Sequence, residues 1–456
     1  MTLFSVEELL ASCNGQLISP ISRDFSKIED VATDSRLVKK GSLFVPLIGE
    51  KQDGHAFIKN AISAGASAVL VSSQSEQIKR IAMENPSVPF VFVQNTLKAL
   101  QDVAEQYVSR FPNLLKCAVT GSSGKTTTKE FLSSILSTRF SVISTKGNLN
   151  SETGLPLSVF GIQNQHEAGV FELGMNRVGE MAEISRVLKP NYVIITNIGS
   201  AHLGKLGSRE KIASEKKHAL DFVKEDGIAL VPLEDDFADF LCDGVRSSIV
   251  RFSLNSKCAS LVSLDALSPS VIRVCDTKIN VHIPGRHNAL DAIAAALLSL
   301  YLGVSPAQIK EGIESVFPSN ARSEVVRGTF TVVKDCYNAN PDSLKAALRL
   351  FSELPQKENK KIVVLGEMLE LGDESKKAHE EAALLATKCG ASLVILVGDE
   401  FSKVNVENVV TIPGRNENAI EEAARLIQKE AKKGDLILLK GSRAVALERI
   451  LPLIGM

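Results

Sequence analysis

The sequence predicts an α/β protein of three domains. A central parallel-sheet phosphate-loop ATPase domain stands between an amino-terminal domain and a Rossmann-like C-terminal domain. Three observations carry this prediction. Short apolar runs of strand character alternate with segments of helical periodicity along the chain, the pattern of parallel sheets covered by helices. One apolar run enters the turn Gly121-Ser122-Ser123-Gly124 and leaves it as a helix beginning at Lys125. The length, 456 residues, suits about three separate cores. The expected boundaries are 1–111, 112–316 and 317–456.

The composition narrows the function classes. A formal net charge of −1 supplies no electrostatic footprint for nucleic acid or an anionic membrane, so neither is an expected partner. Seven cysteines without a C-x-x-C pair suggest neither a zinc ribbon nor a disulfide framework. They are expected to be reduced core thiols of a cytoplasmic protein. The first residues carry Glu7 and Glu8 and no basic segment, unlike a signal peptide. The most apolar helix candidate, 292–304, is too short to span a bilayer.

Taken in order, residues 6–13 read as a helix capped by Ser5, with Glu8 completing a capping box. Residues 42–47, 68–72 and 89–93 read as strands, and 57–64 and 96–111 as helices. Thr33-Asp34-Ser35-Arg36 and Gly49 to His55 are loops of glycine, small polar residues and one arginine. Such loops suit a uridine or sugar-phosphate contact, and suit plain surface turns equally well.

In the second region, 114–119 is a strand and 125–136 a helix, and the turn between them aims backbone N–H groups at a phosphate. Lys125 would reach the outer phosphates, and the Thr126 hydroxyl would ligate Mg²⁺. Val119 stands where the full phosphate-loop pattern has a glycine, which leaves the shorter T-G-x-x-G-K-T core. Strands at 170–173 and 192–196 place Glu172 near the carboxyl end of the first and His202 shortly after the second. Ligands of open α/β sheets bind beyond the carboxyl ends of the strands, so the loop, Glu172 and His202 would share one cleft. His202 taken alone reads better as a hydrogen-bonded loop histidine, and its position in the cleft is what favours a ligand role. The stretch 209–223 reads as one helix. Pro284 to Asn288 reads as a loop entering the helix 289–302, with Asn288 either touching a base edge or capping the helix.

The third region has strands at 329–335, 361–365, 392–397, 408–412 and 435–439, and helices beginning near Asp342, Ser375, Asn416 and Arg443. Polar clusters follow strand ends at 335–341, 366–368 and 440–443. No glycine-rich dinucleotide fingerprint is present, so NAD is not an expected ligand.

Motifs in this order resemble the Mur ligases, the ATP-dependent amide-forming enzymes of peptidoglycan precursor synthesis. The resemblance covers nearly the whole chain. It runs through D-S-R…G-S-L-F-V…G-E-x-x-D-G-H-x-F, T-G-S-S-G-K-T, G-N-L-N-x-x-x-G-x-P, F-E-L-G, A-H-L-x-x-x-G-S, G-R-H-N, D-x-Y-N-A-N-P-x-S, G-E-M-x-E-L-G and K-G-S-R. It implies addition of D-Ala-D-Ala to UDP-MurNAc-tripeptide with ATP, two Mg²⁺ ions and an acyl-phosphate intermediate, by a monomer. The chain lacks the D-N-P-R motif of the related ligase that adds the third stem residue. Folylpolyglutamate synthases share the ATPase core but leave the uridine-like domain unexplained. A nucleotide-binding module without turnover is the alternative from another class. Whether the third stem residue is diaminopimelate or lysine is not written in the sequence.

The resemblance also implies residue roles. Gly121, Ser122, Ser123, Gly124, Lys125, Thr126 and Thr127 would hold the nucleotide phosphates. Thr126 and Glu172 would hold one Mg²⁺, and Glu172, His202 and a carbamylated Lys216 a second, with Lys217 the neighbour to test against. Asn288 would contact adenine, and Arg322 and Asp335 would contact ATP. Tyr337, Asn338, Lys440, Ser442 and Arg443 would order peptide and nucleotide, and Asp34, Ser35 and Arg36 would line the uracil pocket. Two positions depart from the family pattern. Asp291 replaces an asparagine, and a carboxylate reverses the hydrogen-bond pattern that an amide offers. Ala321 precedes Arg322 in place of glycine, which makes that backbone less free.

Overall fold

The computed structural model describes residues 2–18, 27–264, 267, 269–318, 323–354 and 359–456. It is an α/β molecule built on three main sheets and one small one. The first sheet has five strands, ordered Gln16–Leu17, Phe90–Phe92, Ala66–Val71, Ser42–Phe44 and Asp30–Ala32, with only the first pair antiparallel. The central sheet has six parallel strands, ordered Ser248–Phe252, Ile228–Pro232, Tyr192–Ile195, Leu115–Thr120, Ala168–Glu172 and Val142–Ser144. The last sheet runs Glu324–Arg327, Thr331–Asp335, Leu436–Lys440, Lys361–Gly366, Leu393–Val397 and Val410–Ile412, and only its first pair is antiparallel.

The central sheet is buried on both faces, as parallel strands require. Alternate residues of Leu115–Thr120 face opposite ways. Ala118 joins a core that continues through Leu155 and Phe171 into the amino-terminal sheet. Cys117 and Val119 join a second core with Phe131 and Ile135 of helix Lys125–Ser137. The apolar helix Arg286–Tyr301 lies in that second core, between the phosphate-loop helix and the small antiparallel sheet Ala259–Ser263, Ser270–Val274, Thr277–Val281. Its alanines, Ala292 and Ala294 to Ala296, let the layers approach closely. The last sheet has one core on each face.

Several expectations need correction. The helix read as 209–223 is Arg209–Lys217 followed by a 3₁₀ turn, His218–Leu220. Buried Ala219, Leu220 and Val223 continue the apolar spacing past the point where the backbone tightens. The apolar helix begins at Arg286, three residues earlier than the pattern suggests, because its first turn is polar. No helix starts at Arg443; Ala446 takes a left-handed conformation (φ 53°), and only Leu447–Arg449 and Ile450–Leu453 follow as short turns. The small antiparallel sheet was not anticipated. Its second hairpin turns at Cys275-Asp276, with Cys275 at φ 51°, where an Asn-Gly pair would have announced it. Cys258 and Cys275 are exposed, so the cysteines are not all core thiols. No helix among the described residues is long and apolar enough to cross a membrane.

Helix Pro306–Glu314 crosses the phosphate-loop helix where Gly312 meets the backbone of Ile135, and a Cβ on Gly312 would overlap that backbone. Gly312→Ala should therefore cost about 1–3 kcal/mol by overpacking. Urea denaturation of the two proteins checks this; an unchanged midpoint would contradict it.

Candidate functional site

The strand Leu115–Thr120 delivers the chain to the edge of the central sheet, and the turn that follows is held on both sides. Gly121 (φ 149°) and Gly124 (φ 81°) adopt conformations that favour glycine. Between them, Ser122 N–H donates to the Asn197 carbonyl (3.0 Å) and Ser123 N–H to the Asn197 side chain (3.0 Å). Thr196 Oγ1 and Asn197 Nδ2 donate to the Ser123 carbonyl (2.5 and 3.1 Å). Gly124 then caps helix Lys125–Ser137, whose first N–H groups and dipole face the cleft. Lys125 Nζ donates back to the carbonyls of Gly121 (2.9 Å) and Ser122 (3.3 Å).

Glu172 ends its strand beside the loop, as the sequence suggested. Its Oε2 accepts from the Thr126 hydroxyl (2.8 Å), and its Oε1 from Asn150 Nδ2 (2.6 Å). Its N–H donates to Thr145 Oγ1 (3.0 Å), and buried Lys129 donates to the Thr145 carbonyl (3.0 Å). Lys216 reaches the same place from helix Arg209–Lys217. It is 1% exposed, and its Nζ donates to the Gly121 carbonyl (2.8 Å). Burial, and then the neighbouring Lys125, pushes the Lys216 ammonium well below the usual lysine range, against the pull of Glu172. Lys217, by contrast, is only half-buried and donates to the Phe240 carbonyl (2.8 Å).

His202 stands at φ 66° at the start of the short helix Leu203–Leu206. Burial, followed by Lys125, Lys216 and Lys205, lowers its imidazole to about 3. It is therefore neutral near pH 7, and its 3.5 Å approach to Glu370 is a contact between a neutral ring and a carboxylate. Its Nδ1 is buried without a hydrogen-bond partner, so it can still accept or ligate. Among the described residues no three His, Cys, Asp or Glu side chains form a group that could hold a metal. A Mg²⁺ site here would rest on the Thr126 hydroxyl and Glu172, oxygens already in contact, with His202 and Lys216 completing it. The donor chemistry fits: two oxygens, a neutral imidazole and an amine whose ammonium form burial disfavours.

The last sheet closes this cleft from the other side. Asp335 and Lys440 end neighbouring strands in register, and Lys440 Nζ binds Asp335 Oδ2 (2.9 Å) and the Asn338 carbonyl (2.7 Å). Ser442 is buried, and its Oγ accepts from Leu369 N–H (3.2 Å). Arg443 is exposed and pairs with Glu448. Tyr337, partly buried, lies in the loop between Asp335 and Asn338. Arg322 lies outside the described residues. Asn288 does not cap its helix; it is the third residue in, and its Nδ2 donates to the Pro284 carbonyl (2.6 Å). Asp34 is held at about 2 by its hydrogen bonds to the Arg36 side chain and backbone. Ser35 lies in the 3₁₀ turn Ser35–Leu37 between those partners. No hydrogen bond or ion pair among the described residues joins these three to the phosphate loop.

Sequence reasoning missed the residues that join the two halves of the cleft. Asn340 caps helix Pro341–Ser352 and donates to the Ser123 hydroxyl (3.2 Å). Asp342, in the same first turn, accepts from Ser200 N–H (2.6 Å) and Ser200 Oγ (2.7 Å). The Asn-Pro-x-Ser cap was legible as a helix start; nothing local marks Asp342 as a partner for Ser200.

Residues 119–299 match the Mur ligase middle domain, residues 321–443 the Mur ligase glutamate ligase domain, and residues 27–108 the Mur ligase family catalytic domain. A UDP-N-acetylmuramoyl-tripeptide–D-alanyl-D-alanine ligase of Treponema pallidum is 38% identical over 461 residues, 99% of each chain. A MurF crystal structure from Acinetobacter baumannii superposes with a TM-score of 0.89 at 27% identity over the full length of both chains. MurF from Thermotoga maritima in complex with ADP gives 0.79 at 27% identity, covering 93% of this chain and 96% of that one.

Gly121 generates a prediction. A Cβ there would overlap the Thr196 hydroxyl, which is committed to the Ser123 carbonyl. Gly121→Ala should lower stability by about 1–3 kcal/mol and abolish ADP binding. Calorimetric titration with ADP checks it, and wild-type affinity would refute it.

Proposed function

This chain belongs to the Mur ligase family, and from that premise we propose that it is the ATP-dependent ligase that adds D-Ala-D-Ala to UDP-MurNAc-tripeptide. Two things support this reading most directly: the similarity to the Treponema pallidum ligase over 99% of each chain, and the meeting of Thr126 and Glu172 at 2.8 Å beside the phosphate loop. The proposed division of labour is a uridine-nucleotide domain over 1–111, an ATP domain over 112–316 and a peptide-accepting domain over 317–456. The protein is proposed to work as a cytoplasmic monomer.

The chemistry follows from what a carboxylate cannot do. An amine does not displace oxide from a carboxylate, so the carboxylate must first become an acyl phosphate. A carboxylate oxygen of the tripeptide attacks the γ-phosphorus of ATP, and ADP leaves. The amine of D-Ala-D-Ala then attacks the acyl carbon, phosphate leaves, and the amine gives up a proton. Lys125 and the N–H groups at the start of helix Lys125–Ser137 meet the charge that gathers on the phosphoryl oxygens. Thr126, Glu172, His202 and Lys216 would hold Mg²⁺, which when bound supplies further neutralisation of that charge.

Lys216 as an ammonium would oppose such a site. Its buried amine instead favours the neutral form that reacts with CO₂, and the resulting carbamate offers the oxygen that Mg²⁺ prefers. Asn288 would contact adenine, and Asp335, Tyr337, Asn338, Lys440, Ser442 and Arg443 would line the cleft for nucleotide and incoming dipeptide. Asp34, Ser35 and Arg36 form the proposed uracil contact. The bonds Asn340–Ser123 and Asp342–Ser200 draw the two halves together and would keep water from the acyl phosphate.

Two measurements test this reading. Phosphate release should require both UDP-MurNAc-tripeptide and D-Ala-D-Ala, and mass spectrometry should show the amide product. Efficient addition of a free diamino acid to the dipeptide precursor would overturn the substrate assignment. Lys216→Ala should lose most activity, at least about 100-fold as for loss of an electrostatic group, and formate should restore part of it. Lys217→Ala should remain active. A fully active Lys216→Ala enzyme would remove the carbamate from the proposal.

A further inference from the structure

Beneath the phosphate loop stands a carboxyl group with no ion-pair partner among the described residues. Asp291, on the helix Arg286–Tyr301, is 6% exposed. Both of its oxygens lie 2.7 Å from where a Cβ on Gly124 would stand. Gly124 is the residue that ends the loop and caps helix Lys125–Ser137, so the carboxyl packs against backbone where the chain turns into the helix. Its Oδ2 has no hydrogen-bond partner, and the polar side chain beside it is Thr128.

Among the described residues the surrounding elements pair no cation with it. The phosphate-loop helix carries Lys125, Lys129 and Glu130; Lys125 donates to the carbonyls of Gly121 and Ser122, and Lys129 is engaged with the Thr145 carbonyl and Glu130. The antiparallel sheet carries Arg273 and Lys278, and helix Pro306–Glu314 carries Lys310, Glu311 and Glu314, with Lys310 bound to the Lys278 carbonyl and near Glu314. The strand Tyr192–Ile195 contributes Tyr192, and the helix of Asp291 itself carries Arg286 and His287. None of these forms an ion pair with Asp291 among the described residues.

Burial in such surroundings favours the protonated carboxyl, because it strips the ionised form of hydration and no cation among the described residues pairs with it. Burial pushes Asp291 well above the usual carboxylate range. Function points the same way. A loop that receives a polyanion would be weakened by a fixed negative charge against its backbone, in surroundings that screen poorly. We propose that Asp291 is a positioning residue that supports the phosphate loop as a neutral carboxylic acid, and that its ionisation weakens nucleotide binding. The inference rests on the nucleotide site proposed above and adds a protonation state to it. A neutral acid presents one O–H donor and one acceptor, so an aspartate here reproduces much of what an amide would offer. Proton and nucleotide then favour each other's binding, as linkage requires.

The sign of the effect is testable without ligation. The folded protein retains a proton that the unfolded chain releases near the ordinary carboxylate range. Stability therefore falls as pH rises above that range, until Asp291 itself ionises in the folded state. Full-length wild type and Asp291→Asn are melted from mildly acidic to alkaline pH, with and without ADP. The asparagine variant should gain on wild type as pH rises. In wild type, ADP affinity should fall by up to about tenfold per pH unit at the alkaline end, and in the variant that fall should be absent. Parallel pH curves for the two proteins would overturn the proposal, as would loss of ADP binding by the variant at the acidic end. Asp291→Ser, smaller and never charged, provides the same comparison if the asparagine variant does not fold. Failure of ADP to bind wild type at any pH would instead count against the nucleotide site itself, and the ligand-free melts would still decide the protonation state.

Discussion

Two lysines converge on a single carbonyl, that of Gly121, and much of the site depends on that meeting. Lys125 arrives from the helix that follows the loop and Lys216 from a helix far along the chain, at 2.9 and 2.8 Å. Two ammonium groups so close and so little hydrated are costly, and the cost falls on the more buried of them. Lys216 thereby leaves the usual lysine range, and His202 nearby is held neutral. Glu172 is the anion in this neighbourhood, and the Thr126 hydroxyl and Asn150 amide fix its orientation. The loop's shape and the protonation states around it are thus one arrangement. Neither can be changed alone.

The second constraint is closeness of backbones. Gly204 faces Leu371 and Gly372 across the cleft, where a Cβ would lie 2.5 to 2.8 Å from backbone atoms. Asp342 reaches over Gly199 to bond Ser200, and Asn340 bonds Ser123 inside the loop itself. A helix start on one sheet is therefore joined to the phosphate loop on another. A change in the loop has a direct physical route to the opposite wall through Ser123 and Asn340.

Neutrality at the site is built in more than one way. Burial with like-charged neighbours acts on Lys216 and His202, and burial outweighing the Thr128 hydroxyl acts on Asp291. In a cleft that gathers anions, burial thus disfavours the charged forms of the groups behind Lys125. Asp335 and Lys440, paired at 2.9 Å, balance each other on the far wall.

The sequence by itself determined what depends on neighbours along the chain. The run Leu115–Thr120, the glycines at 121 and 124 and the helix from Lys125 were legible because conformation there follows from steric freedom, apolar spacing and capping. The same local logic revealed Glu172 as a strand-end residue and Ser5 as a helix cap, and it placed helix starts near Asp342 and Asn416 and polar clusters after the strands of the last sheet. It misled where apolar spacing outlasted a helix, at 218–223, and where polar residues hid a helix start, at Arg286. It missed the antiparallel sheet because Cys275-Asp276 lacks the usual turn chemistry. Only the tertiary structure decided that Lys216 and Lys125 share one carbonyl, that Asp342 binds Ser200, and that Asp291 lies under Gly124. Those facts depend on packing between residues far apart along the chain, from 91 positions for Lys125 and Lys216 (216 − 125) to 167 for Gly124 and Asp291 (291 − 124). Charge state follows from burial, and burial is a property of the folded whole.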